Sequence, residues 1–219
     1  MKYMDISKEE FFKEYAKHGT TTIGLVCSDA VVLAAEKRAT SGYLVAHKVA
    51  DKIIPITDKI AITIAGYVGD AQMLGKYLRS EMELYEIRRQ KKVTVKAAAT
   101  LLANILFGNR MSMTPFYVQI LLAGHDEETG FHLFSLDADG GNIEDKMVST
   151  GSGSVIAYGV LEDKYKEGIN KEEGILIAAR AIKSAMARDI ASGEGIDIYT
   201  ITEKGMVKVP KEEIAKLVK

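Results

Sequence analysis

The pattern of apolar and polar positions predicts strands and helices in alternating groups. Short runs of β-branched and apolar residues are typical of strands, and apolar residues that recur every three or four positions are typical of helices. By these criteria, strands are predicted over residues 20–28, 30–40, 51–56, 59–66, 116–126, 131–137, 142–150, 196–202 and 206–209. Helices are predicted over about 70–89, 94–107, 154–165 and 171–188, with a last short helix from Lys211. Thr94 is expected to cap the second helix and Gly108 to end it.

This order of elements predicts the fold class. It lacks the strict strand–helix alternation of a doubly wound parallel sheet. No linker rich in proline, glycine or serine divides the chain, which has only three prolines. Two antiparallel sheets, each covered by a helix pair, are the economical way to bury these apolar faces. The prediction is a single-domain α/β (α+β) fold over residues 20–219, arranged as a four-layer αββα sandwich.

Composition and charge exclude several classes of partner. The 29 basic and 30 acidic residues give a net charge of -1, so no field of one sign favours nucleic acid or an anionic membrane. No apolar run approaches the roughly 20 residues that span a bilayer. Cys27 is the only cysteine, which excludes an internal disulfide and favours a reducing compartment such as the cytoplasm.

The leader over residues 1–19 is not a secretory signal. Its charges alternate in sign and it has no continuous apolar segment. It is better interpreted as a short amphipathic helix, because Ser7 and Glu10 have the spacing of a capping box and three aromatic side chains could share one side. Those aromatic residues are Phe11, Phe12 and Tyr15.

Several superficial motifs fail on inspection. The glycine-rich stretch after Thr150 lacks the Lys-Ser/Thr pair of a phosphate loop. The stretch over residues 137–145 begins like a calcium loop but has Gly141 where an oxygen ligand is needed. The four histidines have no metal-ligand spacing. The sequence therefore predicts no metal or organic cofactor.

The run "GTTT" at residues 19–22 allows two interpretations. Taken alone, it is most typical of an ordinary strand. It could also hide a nucleophile, because an N-terminal threonine carries its own base in its α-amino group. That chemistry requires removal of residues 1–19 by cleavage between Gly19 and Thr20, and Gly19 leaves its carbonyl sterically open to attack.

Seven segments in order decide between these interpretations. "GTTTIGL", "EKRAT", "HKVADKI", "TIAGYVGDAQ", "STGSGS", "AYGVLE" and "RDIASG" resemble the β subunits of the archaeal proteasome core particle. The resemblance runs from Gly19 to about Lys204 and implies the N-terminal-nucleophile hydrolase fold. It also implies that residues 1–19 are a removable propeptide.

The resemblance implies a role for each matching residue. Thr20 would be the nucleophile, Lys52 would lower the pKa of its hydroxyl, and Glu36 would pair with Lys52. Many relatives have aspartate in place of Glu36, a mild departure that keeps the charge. Gly66 would offer its backbone N–H to the oxyanion.

Other matching residues would orient groups or hold substrate. The resemblance implies that three of them, Ser152, Asp189 and Ser192, would orient the Thr20 amine and a water. Thr40 would hold the substrate backbone as an added strand. Ala39, Ile64 and Val68 would line the pocket for the residue before the cut, which predicts a preference for apolar residues there.

The implied activity is a threonine endopeptidase that hydrolyses unfolded polypeptides through an acyl-ester on Thr20. The implied assembly is a chamber of stacked seven-membered rings, with α-subunit rings outside β-subunit rings and an ATP-dependent unfoldase as partner.

Three alternatives remain at the level of sequence. The first is a non-catalytic ring subunit that never frees Thr20, although the joint presence of Thr20, Lys52 and Gly66 argues against it. The second is another N-terminal-nucleophile hydrolase, acting on a small amide or as the bacterial two-ring protease. A non-enzymatic binding module is less favoured, because no basic or aromatic stripe is present.

Overall fold

The computed structural model describes residues 19–218, which form twelve strands and five helices. The strands are β1 Thr22–Val26, β2 Val31–Glu36, β3 Ala39–Ser41, β4 Leu44–His47, β5 Ile53–Pro55, β6 Ile60–Gly66, β7 Val118–Asp126, β8 Gly130–Asp137, β9 Asn142–Glu144, β10 Met147–Thr150, β11 Ile196–Thr202 and β12 Gly205–Lys208. The helices are α1 Val68–Arg89, α2 Val95–Asn109, α3 Ser154–Lys164, α4 Lys171–Arg188 and α5 Lys211–Leu217. The predicted helical leader falls mostly outside the described residues.

Two five-stranded antiparallel sheets form the centre of the molecule. The first has the order β10-β1-β2-β11-β12, and the second has the order β5-β6-β7-β8-β9. The two sheets pack face to face through a buried cluster that includes Leu33, Leu121 and Leu133. The predicted mixed α/β sandwich of two antiparallel sheets is confirmed.

Each sheet buries its outer face beneath one pair of helices. Leu74 and Leu78 of α1 and Leu102 of α2 share a core cluster with Ile62 of β6. In α4, Ala178 and its apolar neighbours share another cluster with residues of β1, β2 and β11. The helical spacing read from the sequence therefore places these apolar residues against a sheet.

Local signals define the helix ends. Thr94 caps α2 as predicted, because its Oγ1 accepts the backbone N–H of Ala97 at 3.2 Å. At the start of α4, Asn170 and Glu173 form a reciprocal capping box. Helix α2 continues past the predicted end to Asn109, so Gly108 lies within its last turn.

Two predicted strands are each divided in the structure. The strand predicted over residues 30–40 is β2 followed by β3, and β3 pairs with the unpredicted strand β4 instead of joining either large sheet. The strand predicted over 142–150 is β9 and β10, which lie in different sheets. Asp145 still donates its N–H to Leu133 at 3.0 Å, whereas the Lys146 carbonyl accepts the Val26 N–H of the other sheet at 2.8 Å. The chain thus crosses between sheets within two residues.

Within residues 19–218, no helix has both the length and the apolar character needed to cross a bilayer.

Candidate active site

The three threonines that open the chain body have three different environments. Lys52 Nζ donates to Thr20 Oγ1 at 2.7 Å. Thr21 Oγ1 lies 2.7 Å from Ser192 Oγ. Thr22 Oγ1 contacts threonine hydroxyls of β6 and β10, and it is the first residue of β1. Only the first threonine faces the lysine, and it lies before the strand begins.

Lys52 is held between Thr20 and Glu36. The lysine precedes β5, and its Nζ also donates to Glu36 Oε1. Glu36 ends β2 and is fully buried. Its carboxylate also accepts backbone N–H groups from Thr21 at 3.3 Å, Arg38 at 2.7 Å and Gly193 at 3.0 Å. Four donors therefore fix the carboxylate that orients the lysine.

The environment of Lys52 lowers its pKa. Burial disfavours the charged ammonium and is the largest effect, while the nearby Glu36 carboxylate raises the pKa and only partly offsets burial. Asp189 adds a smaller raising effect at longer range. The lysine beside the Thr20 hydroxyl consequently gives up its proton more readily than an exposed lysine.

The backbone nitrogen of Thr20 faces a second polar group. It donates to Ser152 Oγ at 3.2 Å, and Ser152 Oγ in turn donates to Asp189 Oδ2 at 2.6 Å. Ser192 Oγ donates to the same carboxylate oxygen at 2.6 Å. Ser152 precedes α3 and Asp189 caps the end of α4, so the packing of these two helices gathers the group.

Two predicted glycines occupy positions that exclude a side chain. Gly66 ends β6 with a φ of +118°, and a Cβ there would overlap the Tyr117 carbonyl oxygen. A Cβ on Gly19 would overlap Ala191 and the Ser152 hydroxyl. Gly19 can therefore lie this close to Ala191 and Ser152 because it has no side chain.

A cleft of about 670 Å³ opens beside these groups. Its lining comes from the second large sheet, the β3–β4 turn and the segments that follow β10 and α4. The lining residues include Gly19, Tyr43, Gly66, Gln119, Ser152, Asp189 and Ala191. The cleft therefore touches Gly19, Gly66 and the Ser152–Asp189 pair, whereas Thr20 and Lys52 are not among its lining residues.

The residues predicted to bind substrate are distributed differently. Thr40 is buried within β3 and Ala39 is half-buried beside it. Ile64 is only 7% exposed and packs into the cluster beneath α1 and α2, whereas Val68 is 53% exposed at the start of α1. None of the four lines the 670 Å³ cleft. The pocket formed by Ala39, Ile64 and Val68 stays a prediction.

Sequence reasoning missed several residues at the site. The Arg38 guanidinium donates to the Ile190 carbonyl at 2.7 Å and to Glu194 at 3.2 Å, which fastens the loop after Asp189. Arg38 lies in the quoted segment "EKRAT", so that motif already carried a signal. Thr21, which lies in the quoted segment "GTTTIGL", contacts Ser192, and Gln119, which lies outside all seven segments, contacts Gly151. Among residues 19–218, no cluster of three histidine, cysteine or acidic side chains could hold a metal ion.

Comparisons with known proteins identify the family of this chain. The family model for proteasome subunits matches residues 16–201. The protein named Proteasome subunit beta of Methanohalophilus mahii is 54% identical over 200 residues, covering 91% of this chain and 94% of the relative. That of Ferroglobus placidus is 54% identical over 197 residues, covering 90% and 92%.

A further relative aligns over almost the whole chain. The Proteasome subunit beta of Archaeoglobus fulgidus is 49% identical over 215 residues, covering 98% of this chain and 97% of the relative. The resemblance seen in seven short segments thus extends along the chain, and the chain belongs to the proteasome subunit family.

Proposed function

We propose that this chain is a threonine endopeptidase subunit of a proteasome core particle, freed by its own cleavage between Gly19 and Thr20. The observation that carries the proposal is the 2.7 Å hydrogen bond from Lys52 Nζ to Thr20 Oγ1. A buried lysine with a lowered pKa, placed on a threonine hydroxyl, is suited to take or give that proton.

Self-cleavage begins while the Thr20 nitrogen is still an amide and cannot act as a base. Neutral Lys52 takes the hydroxyl proton, and Thr20 Oγ1 attacks the Gly19 carbonyl carbon. The bond from that carbon to the Thr20 nitrogen then breaks, and the nitrogen receives the proton from Lys52. An ester joins Gly19 to Thr20 Oγ1 until water hydrolyses it. The products are a Gly19 carboxylate and a Thr20 with a free amine and a free hydroxyl.

Peptide hydrolysis repeats this chemistry with a new base. The freed amine of Thr20 remains beside Ser152, whose hydroxyl is fixed by Asp189. The amine takes the hydroxyl proton as Thr20 Oγ1 attacks the substrate carbonyl carbon, and it returns the proton to the leaving nitrogen. The acyl-ester is then hydrolysed by water. Once Lys52 has taken up a proton from water, its ammonium, paired with Glu36, stabilises negative charge near Oγ1 during peptide hydrolysis.

Backbone groups complete the proposed site. The N–H of Gly66 holds the oxyanion of each tetrahedral intermediate. Thr40 binds the substrate main chain as an added strand, so that binding is largely independent of substrate sequence. Ala39, Ile64 and Val68 favour an apolar residue before the cut.

The proposal includes an assembly. The chain works in stacked seven-membered rings with α subunits and other β subunits, in the cytoplasm. An ATP-dependent unfoldase supplies unfolded polypeptides, because folded proteins could not enter such a chamber.

Intact mass after assembly with an α subunit tests the proposal first. Wild-type chain should lose residues 1–19 and expose Thr20, whereas Thr20→Ala should keep its leader and show no peptidase activity. Thr100→Ala is the matched control, since Thr100 is exposed on α2 and its hydroxyl bonds only to the Lys96 carbonyl. A wild-type chain that keeps its leader in a complete particle would identify a structural subunit, or one that needs an active neighbour. Turnover of small amides without peptides would point to another N-terminal-nucleophile hydrolase.

A further inference from the structure

The side chain of Gln119 connects the two large sheets at the mouth of the cleft. Gln119 lies on β7 of the second sheet, and its Oε1 accepts the backbone N–H of Gly151 at 3.0 Å. Gly151 directly follows β10 of the first sheet. Deeper between the sheets, the Thr22 and Thr63 hydroxyls make another connection at 2.9 Å. The Gln119 bond therefore links the two sheets at an exposed position where β10 ends.

On the second sheet, Gln119 is adjacent to the predicted oxyanion donor. It pairs with Ala65 of β6, the residue before Gly66. Gly66 is itself fixed against β7, because Tyr67 donates its N–H to the Tyr117 carbonyl at 2.9 Å. The position of the Gly66 N–H is thus tied to the strand that carries Gln119.

On the side of the first sheet, Gly151, which donates its N–H to Gln119, is part of the turn that contacts Thr20. Gly151 has a φ of +91°, and a Cβ there would overlap the Thr20 carbonyl oxygen. Gly153 donates its N–H to the same carbonyl at 3.3 Å, and Ser152 lies between these two glycines. A displacement of Gly151 would therefore move both Thr20 and the Ser152 hydroxyl, which accepts the Thr20 N–H.

We infer that Gln119 is a positioning residue, which sets the distance between the Thr20 hydroxyl on one sheet and the Gly66 N–H on the other. The inference rests on the proposed function, because it concerns the geometry of the same reaction. Gln119 acts through the acceptor Oε1 and through Gly151. A nucleophile and an oxyanion donor on separate sheets need such a connection, because a displacement of about 1 Å can cost about 100-fold in rate.

Variants that keep or remove the acceptor oxygen of Gln119 distinguish the positioning role from direct substrate binding. Gln119 lines the cleft, so its amide nitrogen could instead donate to a bound peptide. Gln119→Glu keeps an oxygen that can accept the Gly151 N–H but removes the amide donors. Gln119→Ala and Gln119→Met remove both the acceptor oxygen and the amide donors, and methionine retains the length of the side chain. The three variants therefore separate the two roles.

The experiment measures kcat and KM for a short peptide, with the full chain assembled with its α subunit. Mass spectrometry counts the subunits that begin at Thr20, so that kcat is expressed per mature site. The control is Gln90→Ala, since Gln90 also bonds a backbone group through its side chain but lies at the far end of α1. The expected result is a kcat about tenfold lower in Gln119→Ala and Gln119→Met, with KM within about twofold. Gln119→Glu should recover most of the loss, and Gln90→Ala should match the wild type.

The other outcomes overturn the inference. An unchanged kcat in Gln119→Ala, a higher KM at constant kcat, or a loss that Gln119→Glu does not recover would each do so. If the alanine chain does not assemble, the methionine and glutamate variants make the same comparison. If none of the three variants assembles while wild type assembles and is active, Gln119 has a general structural role instead. An inactive but fully assembled wild type would refute the proposed function itself.

Discussion

Two neighbouring residues at the end of β2 form two buried ion pairs with different properties. Glu36 is bonded to Lys52, and Lys37 Nζ lies 2.6 Å from Asp197 Oδ2. Both lysines are 8% exposed, and both acidic partners are almost completely buried. Yet the pKa of Lys52 is lowered, whereas that of Lys37 is raised.

The difference comes from the depth of burial and from the number of acidic partners, since Lys52 is enclosed by many more protein atoms than Lys37 although their exposed fractions are equal. Burial lowers the pKa of both lysines, but Lys37 has two acidic partners, since Asp51 lies 3.3 Å from its Nζ in addition to Asp197. Lys52 has only Glu36 in contact, and that carboxylate also accepts three backbone N–H groups. Deep enclosure with one acidic partner therefore lowers the pKa of Lys52, whereas shallower burial with two acidic partners raises that of Lys37. We infer that the Lys37 pair serves stability and the Lys52 pair serves the reaction.

Lys52→Ala tests this comparison with the largest expected effect. Removal of the amine should lower peptidase activity about 10³-fold, because no other described cation contacts Thr20 Oγ1. The particle should still assemble. Activity per assembled particle is the measurement, and Lys96→Ala on the exposed face of α2 is the control. Activity close to wild type would remove Lys52 from the proposed site.

Lys37→Met should act on stability instead. Breaking this buried pair leaves Asp197 with Lys208 alone, at 2.9 Å, and should cost about 3 kcal/mol or roughly 6–12 °C in thermal midpoint. Thermal unfolding at fixed protein concentration measures the loss, with Lys96→Met as control. At temperatures below its new thermal midpoint, the Lys37→Met variant should keep kcat per mature site within about threefold of wild type, since the Glu36–Lys52 pair is intact. A large loss of kcat with unchanged stability would reverse the two assignments.

Glu36→Gln should affect activity less than removal of the lysine itself. The amide keeps the size of the side chain but removes the charge that supports the Lys52 ammonium, so kcat should fall about 10²-fold. Peptide turnover per mature site is the measurement. Glu127→Gln is the control, since Glu127 is highly exposed. A wild-type rate in Glu36→Gln would mean that Lys52 needs no counter-charge.

The Lys37–Asp197 pair should also make stability depend on pH. Burial by itself would raise the pKa of Asp197, but hydrogen bonds from Lys37 and Lys208 outweigh it and the pKa is lowered. A carboxyl whose folded-state pKa is lowered stabilises the protein fully above its unfolded value of about 3.9, and this stabilisation is lost as pH falls through the folded value. The difference in thermal midpoint between wild type and Asp197→Asn should therefore shrink on acidification. A difference that stays constant from pH 7 to pH 3 would contradict the assignment.

Asp51→Asn should have the smallest effect of the set. The side chain of Asp51 is 77% exposed, so its contact with Lys37 is screened by water and should contribute less than about 1 kcal/mol. The measurement is again the thermal midpoint. A change as large as that of Lys37→Met would show that Asp51, and not Asp197, is the main partner of Lys37.

The helices, most of the strands and the Thr20–Lys52–Glu36 group could be predicted from the sequence. Periodicity gave the helix pairs, because a helix that covers a sheet must show an apolar face every three to four residues. Thr94 marked a helix start because its hydroxyl bonds locally. Ordered motifs named Thr20, Glu36 and Lys52 before any contact was known.

Only the tertiary structure decided how these parts meet. The predicted strand over residues 30–40 divides after Glu36 because Lys37 bonds its N–H to Gly193 in a distant loop, which no local pattern encodes. Ile64 packs beneath the helices because strand alternation directs Thr63 towards the opposite sheet. The lowered pKa of Lys52 likewise depends on burial by segments far apart in the chain. Gln119 acquires its partner only when two sheets come together, since hydrogen bonds between distant residues are set by packing rather than by local sequence.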